Sequence, residues 1–207
     1  MQAWLGIIEA IRLGGWIVYP LTLLAIVALI IMMDRAYVLW RFATVPHAGA
    51  NAAADIRGVL AALPAQHAAR RLLAPLVADT TRPVWWIEEK ARAVALEVQR
   101  DMSRGLWVLE TIVTAAPLLG LLGTIVGMMH AFQLIGNQGL VNPTGVTGGV
   151  AQALVATAIG LVIALVALFA FNYFSRRIDR LVEELEVFAN AWLSDVRLQR
   201  EAAERAA

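Results

Sequence analysis

The chain has 207 residues, of which 60% are hydrophobic and 16% charged, and its net charge is +1. Its mean hydropathy of +0.68 is well above that of a soluble domain, so most of the chain must be buried in bilayer or against other subunits. These values exclude an ordinary soluble fold, the lack of Cys excludes disulfides, and no nucleic-acid partner is expected.

Three apolar segments are long enough to cross about 30 Å of hydrocarbon, which takes roughly 20 residues of helix. They are Trp16 to Met33, Thr111 to Ile135 and Val146 to Phe174. The first is too long for the apolar region of a cleaved signal peptide, and Asp34 and Arg35 follow where small residues would mark a cleavage site. The sequence therefore predicts a multi-pass, all-α membrane protein with a retained first span.

The long segment after the first span is predicted to form a helical cap and a helical stalk. Between Val45 and Pro83 the chain is rich in Ala and interrupted by Pro, which predicts two short helices broken near Pro64. From about Val84 to Ile135 we expect one continuous helix, in which only Gly105 offers a break. At about 1.5 Å per residue this helix would extend well beyond the bilayer.

The third span should continue into the C-terminal tail. Asn142 followed by Pro143 is a favourable start for a helix. Beyond Ser175, apolar residues recur every three or four positions, which predicts an amphipathic face. That face would pack on other cytoplasmic helices or bind a partner, and it comprises Ile178, Leu181, Leu185, Phe188, Trp192 and Val196.

The distribution of Arg and Lys predicts the orientation. Ten basic residues lie between Asp34 and Glu110 and six follow Ser175, whereas the turn before the third span has none. The predicted organisation is a periplasmic N-terminus with the first span (1–41), a cytoplasmic helical domain (42–110), the paired second and third spans (111–175) and a cytoplasmic C-terminal helix (176–207).

Polar side chains in the uncharged stretch from Thr111 to Ser175 are the candidate functional residues. Thr124 and Thr157 lie near the middle of their spans and could reach a similar depth in antiparallel helices, with Gln152 about one and a half turns further out. They would line a polar pathway, or each hydroxyl would simply bond to a carbonyl three or four residues back. Thr114 and His130 are further candidates for pore or interface groups.

Small residues in the same two spans predict close packing of the helix backbones. The residues for which a packing role is expected are Pro117, Gly120, Gly123, Gly127, Ala156 and Gly160.

None of the three spans contains a carboxylate, so any acid required for proton movement must come from another chain. No arrangement of nucleophile and base and no metal-ligand spacing is visible, so we expect no catalytic residues, no metal and no cofactor. Neither an inverted repeat nor a broken-helix substrate site is visible, so the sequence does not indicate a solute carrier.

Three sequence blocks resemble the MotA/TolQ/ExbB proton-channel family, closest to its ExbB and TolQ branch. They are Gly14 to Leu21 with Asp34-Arg35, then Ala116 to Met129 with Ala131-Phe132, and Gly149 to Leu161 with Asn172-Tyr173. The resemblance implies a bacterial inner-membrane protein that assembles as a homo-oligomeric ring, usually a pentamer. The ring would surround ExbD- or TolR-like single-span partners, whose membrane Asp carries the proton.

The resemblance further implies that proton flow performs work on a TonB- or TolA-like protein, for outer-membrane transport or envelope integrity. Thr124 and Thr157 match the pore-lining threonines of the family. Two positions depart from it, because many members carry Glu where Gln152 stands and Pro where Val166 stands. The loss of a titratable group at Gln152 leaves a second interpretation open, a non-conducting oligomeric scaffold for an envelope complex.

Overall fold

The computed structural model describes residues 15–42, 56–78, 82–136 and 143–206. Every regular element in these ranges is a helix, which confirms the predicted all-α class. The helices are α1 (Val18–Phe42), α2 (Ile56–Ala62), α3 (Ala68–Ala78), α4 (Val84–Met102), α5 (Leu106–Gly136) and α6 (Pro143–Ala206). Three of them, α1, α5 and α6, are long and apolar enough to cross a membrane.

The predicted continuous helix from Val84 to Ile135 is wrong, because the chain breaks between α4 and α5. Gly105 has a φ of +85°, a left-handed conformation that ends helices and that glycine adopts at little cost. The Ser103 N–H donates to the Gln99 carbonyl at 2.9 Å, and the new helix opens with the Val108 N–H on the Gly105 carbonyl at 3.0 Å. Gly105 was the one residue at which a break was expected to be possible.

The start of α6 at Pro143 agrees with the sequence prediction, although the proposed cap Asn142 lies outside the described residues. Pro suits the first position of a helix, since its missing N–H would have no intrahelical partner there. Helix α6 then continues for 64 residues without a break. The tail is therefore an extension of the third span, as predicted.

The chain forms two compact units, which are described separately. The first unit contains the chain up to Met32 together with Gly105–Asn172, and therefore most of the three apolar helices. Ile17 and Leu21 of its first segment and Leu109, Ile112 and Ala116 of α5 are buried. Large apolar side chains on the other faces of these helices remain exposed, as expected of surfaces that meet lipid or other subunits.

The second unit contains Met33–Arg104 and Tyr173–Ala207. Most of the predicted tail face is its core, because Ile178, Leu181 and Leu185 are at most 2% exposed and Trp192 is also buried. Phe188 and Val196 are only partly buried. Core residues from the other helices of this unit are Leu72 and Leu76 of α3 and Ile87, Val98 and Met102 of α4.

The two short helices expected around Pro64 are present as α2 and α3. The link between them is fixed by hydrogen bonds, including one from the Arg70 guanidinium to the Leu63 carbonyl at 2.5 Å. His67 precedes α3 and its carbonyl accepts the Arg71 N–H at 2.9 Å. The His67 side chain is 3% exposed, so this link is part of the core of the second unit.

Candidate functional site

Helices α5 and α6 approach each other through small residues. A Cβ added to Gly127 would lie 2.9 Å from the Ala153 Cβ, and one added to Gly123 would lie 2.6 Å from the Ala156 Cβ. Contacts this short leave no room for a side chain, so glycine at both positions is required by the backbone approach. Two of the predicted packing residues, Gly123 and Ala156, therefore lie directly against each other, and Gly127 lies against Ala153.

The closest approach is at Gly160, directly against the backbone of α5. A Cβ added there would lie 2.5 Å from the Ala116 carbonyl oxygen and 3.2 Å from the Gly120 Cα. Pro117 follows Ala116 inside α5 and supplies no N–H to its own helix. Ala116 and Ala156 are both buried, so this contact is a closely packed part of the unit.

Thr157 bridges the two helices at this contact. Its hydroxyl donates a hydrogen bond of 2.8 Å to the Gly120 carbonyl of α5. In an α-helix the same carbonyl also accepts the N–H of residue 124. Thr157 is therefore placed within one helical turn of Thr124, at the similar depth that the sequence predicted. The alternative that Thr157 bonds within its own helix is wrong.

Unlike Thr157, Thr124 and Thr114 each form a hydrogen bond to a carbonyl of their own helix. The Thr124 hydroxyl donates to the Leu121 carbonyl at 2.7 Å, and the Thr114 hydroxyl donates to the Thr111 carbonyl at 2.9 Å. Each proton is therefore used within the helix, while the oxygen keeps lone pairs that can accept a hydrogen bond. Thr124 is partly exposed and Thr114 is exposed, so both oxygens can be reached from outside the chain.

Gln152 packs against the turn that precedes α1. Gly15 has a φ of +66°, and the Gln152 side-chain amide nitrogen occupies the position that a Cβ on Gly15 would need. Both features require glycine at this position. The structure therefore places Gln152 at the start of the first span, away from the bond between Thr157 and Gly120. The sequence matched Gly15 to a family block but predicted no contact with Gln152.

The remaining polar candidate lies on the outer surface of the unit. His130 is exposed on α5, and Gln133 one turn later is exposed as well. Neither side chain is brought to the contact between Thr157 and Gly120. Among the residues that the structure describes, no group of three or more His, Asp or Glu side chains could hold a metal ion.

Charged residues of the second unit form a site that sequence reasoning missed. The guanidinium of Arg35, which is 8% exposed, donates to the backbone carbonyls of Asp101 and Met102 at 3.2 and 3.0 Å. It therefore caps the C-terminus of α4, where a helix has carbonyls without partners. The available signal was Asp34-Arg35 at the end of an apolar run, which indicated a retained first span and a family block but no contact with α4.

Comparison with known proteins gives a family-level match. A model of the MotA/TolQ/ExbB proton channel family matches residues 64–187. A Methanothermobacter thermautotrophicus protein, which is named a biopolymer transport protein ExbB homolog, is 26% identical over 87% of this chain and 67% of its own length.

Two bacterial proteins named biopolymer transport protein ExbB match shorter parts of the chain. The protein of Aquifex aeolicus is 34% identical over 40% of this chain and 55% of its own length. That of Xanthomonas campestris strain B100 is 38% identical over 48% of this chain and 40% of its own length. The matched segments thus span about half the length of these two relatives.

Proposed function

Because the chain belongs to the MotA/TolQ/ExbB proton channel family and is a multi-pass inner-membrane protein with three apolar helices, we propose that it is the ring-forming subunit of an energy-transducing proton channel. The observation that carries this proposal is the family match over 64–187, which includes both threonine-bearing spans.

The proposed assembly is a homo-oligomer, in the family's usual form a pentamer, around an ExbD- or TolR-like single-span protein. The absence of any acid between Thr111 and Ser175 supports a partner that supplies the titratable Asp. The exposed apolar faces of α5 and α6, which include Leu118, Phe132 and Leu154, are available for neighbouring copies and lipid. The N-terminus is proposed to be periplasmic and the C-terminus cytoplasmic.

Thr124 and Thr157 are proposed to line the pathway as hydrogen-bond acceptors. Both hydroxyl protons are donated to carbonyls, so what each oxygen offers is a lone pair. A protonated carboxylic acid has one O–H to donate, whereas a carboxylate has none. The two threonines therefore favour the neutral, proton-carrying state of the partner Asp while it lies in the bilayer. A sodium ion would also bind to these oxygens, so ion substitution distinguishes proton from sodium coupling.

Each charge that crosses the membrane supplies about 2.3 kcal/mol per 100 mV. We propose that this energy moves the partner within the ring and performs work on a TonB- or TolA-like protein. That work would serve outer-membrane transport in an ExbB-like role or envelope integrity in a TolQ-like role. Gln152, which packs on Gly15, contributes by position and cannot titrate.

The test is a set of matched variants at position 157, assayed for partner-dependent activity in cells. Thr157→Val removes the bond to Gly120, whose mean value within membranes is about 0.6 kcal/mol, so the assembly should survive. Activity should be lost in Thr157→Val and Thr124→Val and retained in Thr157→Ser. Thr111→Val is the control, because it makes the same change at a threonine that is not assigned to the pathway and whose hydroxyl, like that of Thr124, bonds to a carbonyl of its own helix.

Normal activity in both Thr157→Val and Thr124→Val, with the complex assembled, would contradict the pore assignment. Membrane assembly without ion movement in the wild-type complex would favour the second candidate function, an oligomeric scaffold. The observation that favours the scaffold is Gln152, which stands where many family members carry Glu.

A further inference from the structure

A cavity of about 310 Å³ lies in the second unit, between the end of α1, the start of α3 and the end of α4. Its polar lining includes three guanidinium groups and one carboxylate, contributed by Arg35, Arg71, Arg104 and Asp101. Its apolar lining includes Val38, Phe42, Val98 and Met102. The cavity is therefore amphipathic, with more positive than negative groups on its wall.

The three arginines differ in how far they are neutralised. Arg35 pairs with Asp34 and caps α4, and Arg71 lies 2.7 Å from Asp101 and 3.5 Å from Glu97. Arg104 makes no ion pair with any residue that the structure describes. Its exposed guanidinium is thus the group most available to an incoming anion.

The position of these residues in the chain points to the membrane surface. Arg35 follows the last residues of the first apolar segment, and Arg104 lies two positions before the start of α5. Tyr37, Trp40 and Trp107 are exposed nearby in sequence, as aromatic side chains are at the level of lipid headgroups. Arginine is the preferred residue for binding phosphate, and basic pockets beside membrane helices bind anionic headgroups.

We propose that this cavity is a binding site for the phosphate group of an anionic membrane phospholipid, with Arg104 as the principal ligand and Arg71 beside it. The apolar wall from Val38 to Met102 would contact the glycerol and the first methylene groups. The inference is independent of the proposed channel activity, because it concerns a different unit of the chain and requires no partner.

The test measures binding to the purified full-length chain by native mass spectrometry and titration. The probes are short-chain phosphatidylglycerol, phosphatidylcholine with the same acyl chains, and inorganic phosphate. Wild type should bind phosphatidylglycerol at least tenfold more tightly than phosphatidylcholine. Arg104→Gln should weaken phosphatidylglycerol binding roughly tenfold, as expected for the loss of one charge-assisted hydrogen bond. Arg100→Gln is the control, since Arg100 is exposed on α4 but does not line the cavity.

Three results would overturn the proposal. Equal binding of the two lipids would mean that only the acyl chains are recognised, and equal effects of Arg104→Gln and Arg100→Gln would mean that the attraction is not local to the cavity. If millimolar inorganic phosphate displaced phosphatidylglycerol with the same dependence on Arg104, the ligand of the cavity would be a free anion and not a lipid. Unchanged helical circular dichroism of both variants shows that a loss of binding is not a loss of fold.

Discussion

Replacement of Gly160 by Ala tests the close contact between α5 and α6. The new Cβ would lie 2.5 Å from the Ala116 carbonyl oxygen, whereas an ordinary contact between carbon and oxygen is about 3.3 Å or longer. Because the neighbouring atoms at Ala116 and Gly120 belong to the backbone, no side chain can rotate away. The helices must separate locally by most of that difference.

The expected cost combines three terms. Overpacking of this kind costs about 1–3 kcal/mol, and the separation also lengthens the Thr157–Gly120 bond, which contributes about 0.6 kcal/mol. Ala is favoured over Gly within a helix by about 1 kcal/mol, which offsets part of the loss. The net destabilisation should be roughly 0.6–2.6 kcal/mol, or a fall in Tm of about 1–10 °C for a chain of this size.

The matched control is Gly148→Ala in the same helix, where an added Cβ has no atom within 4 Å. It should keep the propensity gain without the collision and be as stable as wild type or more so. Thermal unfolding of both variants in the same detergent, followed by Trp fluorescence, measures the difference. A Gly160→Ala protein as stable as Gly148→Ala would refute the backbone contact.

Three further changes test the second unit and the break beside it, each by thermal unfolding. Gly105→Ala should lower the free energy of unfolding by about 1–2 kcal/mol, because residue 105 has a left-handed backbone conformation, and Gly105→Asn should lower it by less. Equal stability of the wild type and both variants would contradict the positive φ. Arg35→Gln should lower the free energy of unfolding by about 1–3 kcal/mol, because it removes donors from two C-terminal carbonyls of α4. Arg35→Lys should have an intermediate effect, and an unchanged Tm in Arg35→Gln would rule out the cap. Burial lowers the pKa of His67 below 6.5, and Nδ1 has no hydrogen-bond partner among the described residues. The unfolded chain therefore binds the proton first, so stability should fall as the pH drops below about 6.5 until the lowered pKa is passed; His67→Leu should flatten this dependence, and the same pH slope in both proteins would exclude His67 as its source.

Periodicity and charge predicted the helices because both signals are spread over many residues. The apolar face that begins at Ile178 became the core of the second unit, and the helix start at Pro143 followed from local backbone chemistry. The helix break at Gly105 was not predicted, because a single glycine is tolerated inside many membrane helices. Its effect depends on what surrounds it, here the cap that Arg35 places on α4.

The assignment of the pathway residues stays a prediction, whereas the structure shows some of their contacts, and only part of those contacts was predicted. The shared depth of Thr124 and Thr157 follows from antiparallel spans, whereas the bond from Thr157 to Gly120 depends on how closely two backbones approach. That distance is set by several small residues acting together, and no single position encodes it. The contact between Gln152 and Gly15 joins residues far apart in sequence, so composition and spacing gave no indication of it.

Proton flux into vesicles tests the central claim most directly. The purified chain is reconstituted with an ExbD- or TolR-like partner, a potential is applied, and the internal pH is followed with a fluorescent dye. We predict partner-dependent acidification that is lost when the partner Asp is changed to Asn and when Thr157→Val is introduced here, and that persists with Thr157→Ser. An assembled wild-type complex that moves no protons under a potential would contradict the proposed proton channel. The non-conducting oligomeric scaffold would then be the remaining interpretation.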